Sequence, residues 1–398
     1  MEKLIITHME IRKKQALVTA LWRDGRLWNL DLAPAGESRL LGSIHVGKVQ
    51  KVLPDQKGAF VEIEGRLPCY FATDKITGPM FRRGSRQGKL SPGDELLVQV
   101  TREALKSKAP SVSSNLSFPG EYLVLTTENR MLGVSSRIPK PNRARLRQML
   151  AEALGEERTY GVIVRTNAVQ ANREQLLSEL SVLRARMDAV LKKGSYAPCY
   201  TRIMDGDLPE TEAVKNCVWE NLEKVITDDP GIYQRLLRFV EETYPGGQAK
   251  VELYEDPLLP LSKLFSLEAA IGEALDKRVW LKSGGFLVIE QTEACAVIDV
   301  NSGKYVAKRD TGEMAARINR EAAREILRQI RLRNLSGIIL VDFINMNQEE
   351  QEQLLALMRG LAKEDRITTR AVDVTELGIM ELTRRKEKKT LAQQLEEL

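Results

Sequence analysis

Long apolar runs, histidines and paired cysteines are what this 398-residue chain has least of. No stretch approaches the ~18–20 consecutive apolar residues of a membrane span. The opening Met1-Glu2-Lys3-Leu4-Ile5-Ile6 meets His8, Glu10 and Arg12 before a signal-peptide hydrophobic region can form, so a cytoplasmic protein is expected. His8 and His45 are the only histidines. That excludes most nucleases built on histidine clusters or a His–His acid/base pair. A metal here must be held mainly by carboxylates, which favours Mg²⁺ or Mn²⁺ over zinc. Cys69, Cys199, Cys217 and Cys295 lie far apart and form no CxxC pair, so neither a zinc ribbon nor a disulfide framework is indicated.

What is present is a mixed, charged composition with a net charge of +5. Residues 42–118 hold twelve Lys/Arg against seven Asp/Glu, so this one segment equals the whole excess. A basic module in an otherwise balanced chain suits nucleic-acid contact, and charge alone fits a solvated basic surface equally well. The same segment carries short strands between turn residues: Gly42 to Val52, Gly58 to Ile63, and Leu96 to Val100 after Pro92-Gly93-Asp94. This pattern predicts a small five-stranded barrel of the OB type, with an Arg/Gly-rich loop at 78–91.

Residues 1–38 contain two or three strands, too few to form a core alone. They must pair with a later piece, and the strand at Val251-Glu252-Leu253-Tyr254 is a candidate. The barrel is then an insertion. Residues 119–208 read as a small α/β unit with strands at Tyr122–Leu125 and Gly161–Val164 and helices near 140–155 and 172–192. From 277 to 383 the pattern is clearest: strands 286–291 and 294–300, a helix 313–334, strand 337–343, helix 348–361 and strand 367–374. Strand–helix–strand alternation predicts a largely parallel sheet.

Within that last segment Val297, Asp299 and Asn301 share one strand face, and Asp342 ends the next strand. The intervening helix makes the two strands parallel, so both carboxylates emerge at one edge, where open α/β sheets bind ligands. Two carboxylates and a carboxamide suit Mg²⁺, with water and a substrate phosphate completing the octahedron. Spacing alone also admits a reading in which both aspartates merely cap strand ends. The helix between them bears Arg317, Arg320, Arg324, Arg328 and Arg331 on one arc, opposite Ile318, Ala322, Ile326 and Ile330. The arginine stripe suits a phosphate backbone, with its C-terminal members expected to be freest. Glu313, Glu321 and Glu325 are available as ion-pair partners.

Several motifs in order carry a resemblance. They are Lys282-Ser283-Gly284-Gly285-Phe286-Leu287-Val288-Ile289, Gln291-Thr292-Glu293-Ala294, and Val297-Ile298-Asp299-Val300-Asn301-Ser302-Gly303. Arg328-Gln329-Ile330-Arg331-Leu332-Arg333-Asn334, Gly337-Ile338-Ile339 and Val341-Asp342-Phe343-Ile344 follow, and Leu377 to Arg384 completes the set. The chain resembles the ribonuclease E/G family nearly end to end. The resemblance implies a multidomain α/β fold. It consists of an RNase H-like subdomain split between 1–38 and 209–276, an inserted S1 domain (an OB-type β-barrel) at 39–118, a 5′-sensor subdomain at 119–208, a DNase I-like catalytic subdomain at 277–383, and a charged tail at 384–398.

It further implies a magnesium-dependent endoribonuclease acting on single-stranded RNA (rRNA precursors, tRNA precursors, mRNA), leaving 5′-phosphate and 3′-hydroxyl ends. Asp299 and Asp342 would bind the metal, and Asn301 would hydrogen-bond in the site. Phe60, Tyr70 and Lys108 would contact RNA, and the arginine stripe read above adds Arg328 and Arg331 to the expected RNA contacts. Arg165, Thr166 and Val134 would read a 5′-monophosphate.

The family's Asp-Phe-Ile-Asp-Met is Asp342-Phe343-Ile344-Asn345-Met346 here, its Lys-Gly-Ala is Lys108-Ala109-Pro110, and its C-terminal CPxCxG motif is absent. No structural zinc is therefore expected. A homodimer would have to pack without a zinc link, for example through Leu391 and Leu395. The rival readings are a non-catalytic S1-containing RNA-binding or ribosome-associated protein, and a metal phosphodiesterase acting on DNA or a small nucleotide.

Overall fold

A computed structural model describes all residues except 35–39, 54, 56, 74–80, 84–89, 105–107, 129, 137, 155–158, 245 and 304–310, with backbone alone at 81–83 and 311–313. The basic loop expected at 78–91 falls largely outside the described residues. The chain divides into two compact units. One comprises Met1–Gly36, Glu220–Leu236 and Ala249–Leu398; the other comprises Glu37–Trp219 and Leu237–Gln248. Among the described residues no helix is long and apolar enough to cross a membrane.

The Glu37–Trp219 unit contains the expected barrel. Strands Ile44–Leu53, Gly58–Glu62, Pro68–Ala72, Ser111–Ser113 and Glu95–Arg102 pair in that order, and the last closes onto the first. A closed barrel of five strands fits an OB-type S1 domain. Strand alternation fills it: Ala59, Val61, Cys69 and Phe71 are fully buried, so Phe60 and Tyr70 fall on the outer surface. The same unit holds a four-stranded sheet in the order Ser117–Pro119, Leu123–Thr126, Gly161–Val164, Leu132–Val134. Helices Lys140–Leu154 and Arg173–Tyr196 cover it through Leu146, Leu150, Leu176 and Leu180. The second helix starts at a reciprocal capping box between Asn172 and Gln175.

The other unit begins with Glu2–Ile11, Lys14–Arg23 and Arg26–Pro34, an antiparallel meander. It is completed by Leu222–Thr227, parallel to the first strand, and by Val251–Leu253 beyond it. The early strands thus find their partners about two hundred residues later, as their small number requires. Leu222–Thr227 was not anticipated; Glu223 and Lys224 interrupt its apolar pattern.

The second sheet of this unit runs Arg278–Trp280, Phe286–Gln291, Cys295–Asn301, Gly337–Asp342, Ile379–Arg384, Thr369–Val374. Only the Cys295–Asn301 and Gly337–Asp342 strands pair in parallel; every other neighbour is antiparallel. The expectation of a largely parallel sheet is corrected here. Ile379–Arg384 inserts between the Gly337–Asp342 strand and Thr369–Val374, which it joins through a turn at Gly378, whose φ is +83°. Helices Thr311–Leu332 and Gln348–Ala362 cover one face only. Their core contains Ile318, Ala322, Ile326 and Ile330, all fully buried, packed on Leu287, Ile298 and Val341.

The tail is also corrected. Leu391–Glu397 is a helix whose Leu391 and Leu395 are buried in this unit's own core with Leu32 and Leu332. The Gln394 side-chain oxygen accepts from the Leu32 backbone at 2.9 Å, and Lys388 pairs with Asp31 at 2.8 Å. These leucines are therefore not a free surface for a second copy.

His45 supplies a pH test. It is fully buried in the barrel's first strand, with Nε2 2.7 Å from Ser43 Oγ and Nδ1 without a hydrogen-bond partner among the described residues. Burial, then the positive charge of Arg202, lowers its pKa to about 4. A depressed histidine is buried neutral, so its contribution is complete above the unfolded pKa of ~6.5 and is lost as pH falls toward 4. Urea unfolding of wild type should lose about 2 kcal/mol more than His45→Gln between pH 7 and pH 4. Parallel pH profiles for the two proteins would contradict this.

Candidate active site

The candidate site follows from one register. In the parallel pair, Asp299 stands directly opposite Asp342, at the C-terminal ends of both strands. Adjacent strands lie about 4.8 Å apart and paired residues share a face. Both carboxylates thus project from the face that the helices leave uncovered, and both are exposed. Asn301, two residues on from Asp299, donates from Nδ2 to Asp299 Oδ2 at 2.7 Å. Sequence reasoning placed these three together, and the structure does bring them together.

Among the described residues no group of three or more His, Cys, Asp or Glu side chains is disposed around a metal site. A pair of carboxylates suits Mg²⁺, which keeps most of its waters and takes one or two protein carboxylates plus phosphate oxygens. Zinc sites ordinarily take three or four protein ligands that include histidine or cysteine, more than this pair of carboxylates offers. Two like charges on neighbouring strands also favour a bound cation over an empty site.

The crossover helix between the two strands, Thr311–Leu332, fixes what flanks the pair. Glu321 accepts from the backbone amides of Lys282 at 2.7 Å and Ser283 at 3.2 Å, holding the turn before Phe286–Gln291. Asn319 is fully buried and exchanges two hydrogen bonds with the Ile344 backbone, at 2.8 and 3.1 Å, holding the segment after Asp342. Sequence reasoning missed both roles. Asn319 was detectable, since it sits in the middle of an apolar arc with Ile318, Ala322 and Ile326, where an unpaired amide would cost ~1–3 kcal/mol. Glu321 was read only as an ion-pair partner.

The glycines of the Lys282-Ser283-Gly284-Gly285 turn have a steric cause. A Cβ on Gly285 would lie 2.7 Å from the Asn301 carbonyl oxygen, and one on Gly303 would collide with the Gly284 carbonyl. Gly303 also has a φ of +68°, open to glycine at little cost. The turn and the end of the Asp299 strand therefore pack backbone to backbone.

The arginine stripe divides differently from expectation. Arg317, Arg320 and Arg324 are exposed. Arg328 is committed: its guanidinium grips Glu325, with Nε at 3.0 Å, and donates to the Leu27 carbonyl at 2.6 Å. Arg331 lies 4.0 Å above the Trp28 ring, and Arg23 lies 4.3 Å from the centroid of the same ring. Burial lowers the Arg331 pKa to about 10, which leaves it charged at neutral pH. The C-terminal arginines are thus the engaged ones, because the hairpin ending in Arg26–Pro34 packs on that end of the helix.

In the barrel, Phe60 and Tyr70 are register partners and half-buried, with rings 6.4 Å apart in an edge-on arrangement. A Cβ on Gly58 would strike the Tyr70 ring at 2.5 Å, so glycine there makes room for the ring. Lys108 is exposed, in the segment whose Pro110 carbonyl accepts from the Tyr70 amide.

In the four-stranded sheet, Val134 pairs with Val164, which brings it beside Arg165 and the exposed Thr166. The Arg165 guanidinium donates to the Gly120 carbonyl and its amide donates to the Tyr122 carbonyl. Glu179, which sequence reasoning missed, accepts from the backbone amides of Glu121, Tyr122 and Leu123. Its pKa is raised by burial, against those hydrogen bonds and the nearby Arg165. Nothing in its helical context separates it from a solvated glutamate.

The tight turn yields a prediction. Gly285→Ala should cost about 1–3 kcal/mol through overpacking against Asn301 and Ile318. Gly272→Ala, whose Cβ meets nothing within 4 Å in helix Leu267–Leu275, should be neutral or stabilising. Urea unfolding of the two variants measures the contrast; equal stabilities would refute the steric account.

The chain is similar to known proteins over most of its length. A family model described as the Ribonuclease E/G family matches residues 117–387. Ribonuclease G of Haemophilus influenzae is 32% identical over 385 residues, covering 94% of this chain and 78% of its own length. Ribonuclease G of Escherichia coli is 31% identical over 381 residues, with 92% and 77% covered. Ribonuclease E of Synechocystis sp. is 31% identical over 390 residues, covering 96% of this chain and 57% of its own length. On a match of this extent, the chain belongs to the Ribonuclease E/G family.

Proposed function

We propose that this chain is an endoribonuclease that hydrolyses internal phosphodiester bonds of single-stranded RNA at the Asp299–Asp342 pair. The observation that carries the reading is the shared register of those two aspartates, with Asn301 hydrogen-bonded to the first, in a member of this family. Asp299 and Asp342 would hold Mg²⁺ (Mn²⁺ as a substitute), which when bound supplies an activated water and offsets charge on the phosphate. Asn301 restrains the Asp299 carboxylate. The Glu321-held turn and the Asn319-held Ile344 segment keep both strand ends in place.

RNA binding is assigned to the half-buried Phe60 and Tyr70, since base stacking tolerates any sequence. Lys108 and the exposed Arg317, Arg320 and Arg324 would meet phosphates. Arg328 and Arg331 are assigned to building that helix face, with contact to RNA secondary. The RNase H-like, 5′-sensor and DNase I-like subdomain names, a cytoplasmic site of action, and rRNA precursors, tRNA precursors and mRNA as substrates belong to the same proposal.

The test is cleavage of labelled single-stranded RNA with and without Mg²⁺. Asp299→Asn and Asp342→Asn should each reduce turnover by at least about a hundredfold while RNA affinity changes less than about threefold, because most binding groups lie elsewhere. Near wild-type turnover in either variant would remove that residue from the centre. RNA binding with no cleavage in the wild type would favour the non-catalytic reading.

Arg165, Thr166 and Val134 are assigned to reading a 5′-monophosphate, with Glu179 holding the loop that Arg165 touches. A guanidinium and a hydroxyl are suited donors for a terminal phosphate. RNA with a 5′-monophosphate should be cut faster than the same RNA with a 5′-hydroxyl, and Arg165→Ala should erase the difference. Equal rates on both ends in the wild type would end this assignment.

A further inference from the structure

Trp280 is 64% exposed, unusual for so large an apolar ring. It lies on the edge strand Arg278–Trp280, and its register carries it into the candidate site. Trp280 pairs with Phe286, and Phe286 pairs with Asn301. Two residues along, Arg278 pairs with Val288, and Val288 with Asp299. Paired residues share a face, so Trp280, Phe286 and Arg278 stand on the same open face as the two aspartates; the Arg278–Trp280 strand is two strands, or about 10 Å, from the Asp299 strand and three, or about 14 Å, from the Asp342 strand. The rings of Trp280 and Phe286 are 5.2 Å apart and tilted by 56°, and the Arg278 guanidinium lies 4.5 Å from the Phe286 ring. The Arg278 guanidinium also lies 5.7 Å from the centroid of Trp280, and most of the Trp280 surface is left to solvent.

Around the edge strand from Trp280, on the helix side of the sheet and within the same unit, is a cleft of about 460 Å³ between the turn at Asp24 and helix Thr311–Leu332, and Trp280 lines its rim. Its carboxylates are mostly spent: Glu325 is paired with Arg328 and Arg26, Glu321 with two backbone amides, and Asp24 with the N-terminal amine. Glu364 also lines it, and its charge favours protonated Arg331. Facing them are Arg324, Lys282 and Arg331. Among the described residues Arg324 donates to the Arg320 carbonyl alone, and the buried Nε of Arg331 has no hydrogen-bond partner. A stacking surface beside a cationic cleft is what a nucleotide requires: a ring face for the base and cations for its phosphate.

We propose that Trp280 stacks on a base of the RNA strand next to the Asp299–Asp342 pair, while the adjoining cleft, through Arg324 and Lys282, takes a neighbouring phosphate. The proposal rests on the endoribonuclease reading. The Lys282–Gly285 turn gives it mechanical sense: the hairpin carrying Trp280 and Phe286 packs backbone to backbone on the end of the Asp299 strand. A base held on Trp280 would fix the strand relative to the carboxylates.

Two measurements on the full chain test it. In chelator-containing buffer, single-stranded RNA bearing 5-iodouridine is photocrosslinked and the modified peptide is sequenced; Trp280 should be the modified residue. In Mg²⁺, Trp280→Ala should raise KM about 5- to 100-fold with kcat changed less than about threefold, and Trp280→Phe should recover most of the loss. Arg324→Ala should lower the salt dependence of binding by about one phosphate contact.

Crosslinks found only elsewhere, an unchanged KM in Trp280→Ala, or Phe performing no better than Ala would each overturn the proposal. So would a change in oligomeric state on Trp280→Ala with no crosslink at Trp280, since a second copy would then be covering the ring. Should the alanine variant not fold, the wild-type crosslink decides. Crosslinking at Trp280 without any cleavage in Mg²⁺ would leave the stacking site standing and remove the ribonuclease reading; cleavage without that crosslink would do the reverse.

Discussion

The parallel pairing of Cys295–Asn301 with Gly337–Asp342 is the constraint from which the site follows. Only parallel strands bring two C-terminal ends together, and joining them requires a crossover. Helix Thr311–Leu332 makes that crossover. Its fully buried Ile318, Ala322, Ile326 and Ile330 hold it to one face of the sheet. The other face is thereby free for Asp299 and Asp342. At about 5 Å, two carboxylates repel by roughly 1 kcal/mol in water and a few kcal/mol near a protein surface. Because both are exposed, the smaller figure applies, and the fold can carry the pair at little cost. Buried at the same spacing, the pair would be untenable without a partner.

The same helix braces what surrounds the aspartates, and it does so with polar groups. Glu321 and Asn319 bond to backbone on either side of the strand ends. At its far end the chain turns at Asn334, which has a φ of +49°, a conformation asparagine tolerates. Asn334 accepts from Arg384 at 2.6 Å, and Arg384 is paired with Asp365 at 2.7 Å, both nearly fully buried. Thr369 completes the Asp365 shell. Breaking one member of such a pair typically costs ~3–5 kcal/mol, since the other charge is left buried. The group ties the crossover helix, the loop after the Gln348–Ala362 helix and the Ile379–Arg384 strand into one block.

How much of this was legible in the sequence differs by element. Asp299, Asn301 and Asp342 could be placed because strand alternation and a helix of clear period determine face and edge without tertiary knowledge. The barrel was legible from its turn residues. Strands Arg278–Trp280 and Leu222–Thr227 were not, because each is short and interrupted by charge, and their β character comes from partners distant in sequence. Ile379–Arg384 was concealed differently: its residues are apolar enough, but nothing local says that it enters between two strands already assigned as neighbours. Polar side chains that act on backbone, such as Glu179 and Glu321, resemble surface glutamates in every local respect. Their role exists only once the amides they accept from have been brought together.

The arginines of the crossover helix show why a charge stripe cannot be read at face value. Five guanidiniums on one arc look equivalent in sequence. The hairpin ending in Arg26–Pro34, held down by the C-terminal helix through Leu391, Leu395 and the Gln394 bond to Leu32, covers the last two. There Arg331 exchanges water for the face of Trp28, an interaction worth about 0.5–2 kcal/mol depending on desolvation. Arg328 gains a charged partner and a carbonyl. Neither can move to a phosphate without giving these up, whereas Arg317 and Arg320 remain exposed at the N-terminal half. A charge that costs nothing to redirect contributes to nucleic-acid affinity; one already satisfied by its own fold contributes to the fold. The tail that packs on this hairpin therefore decides which arginines are left over, and under the proposed function it would act on RNA binding indirectly.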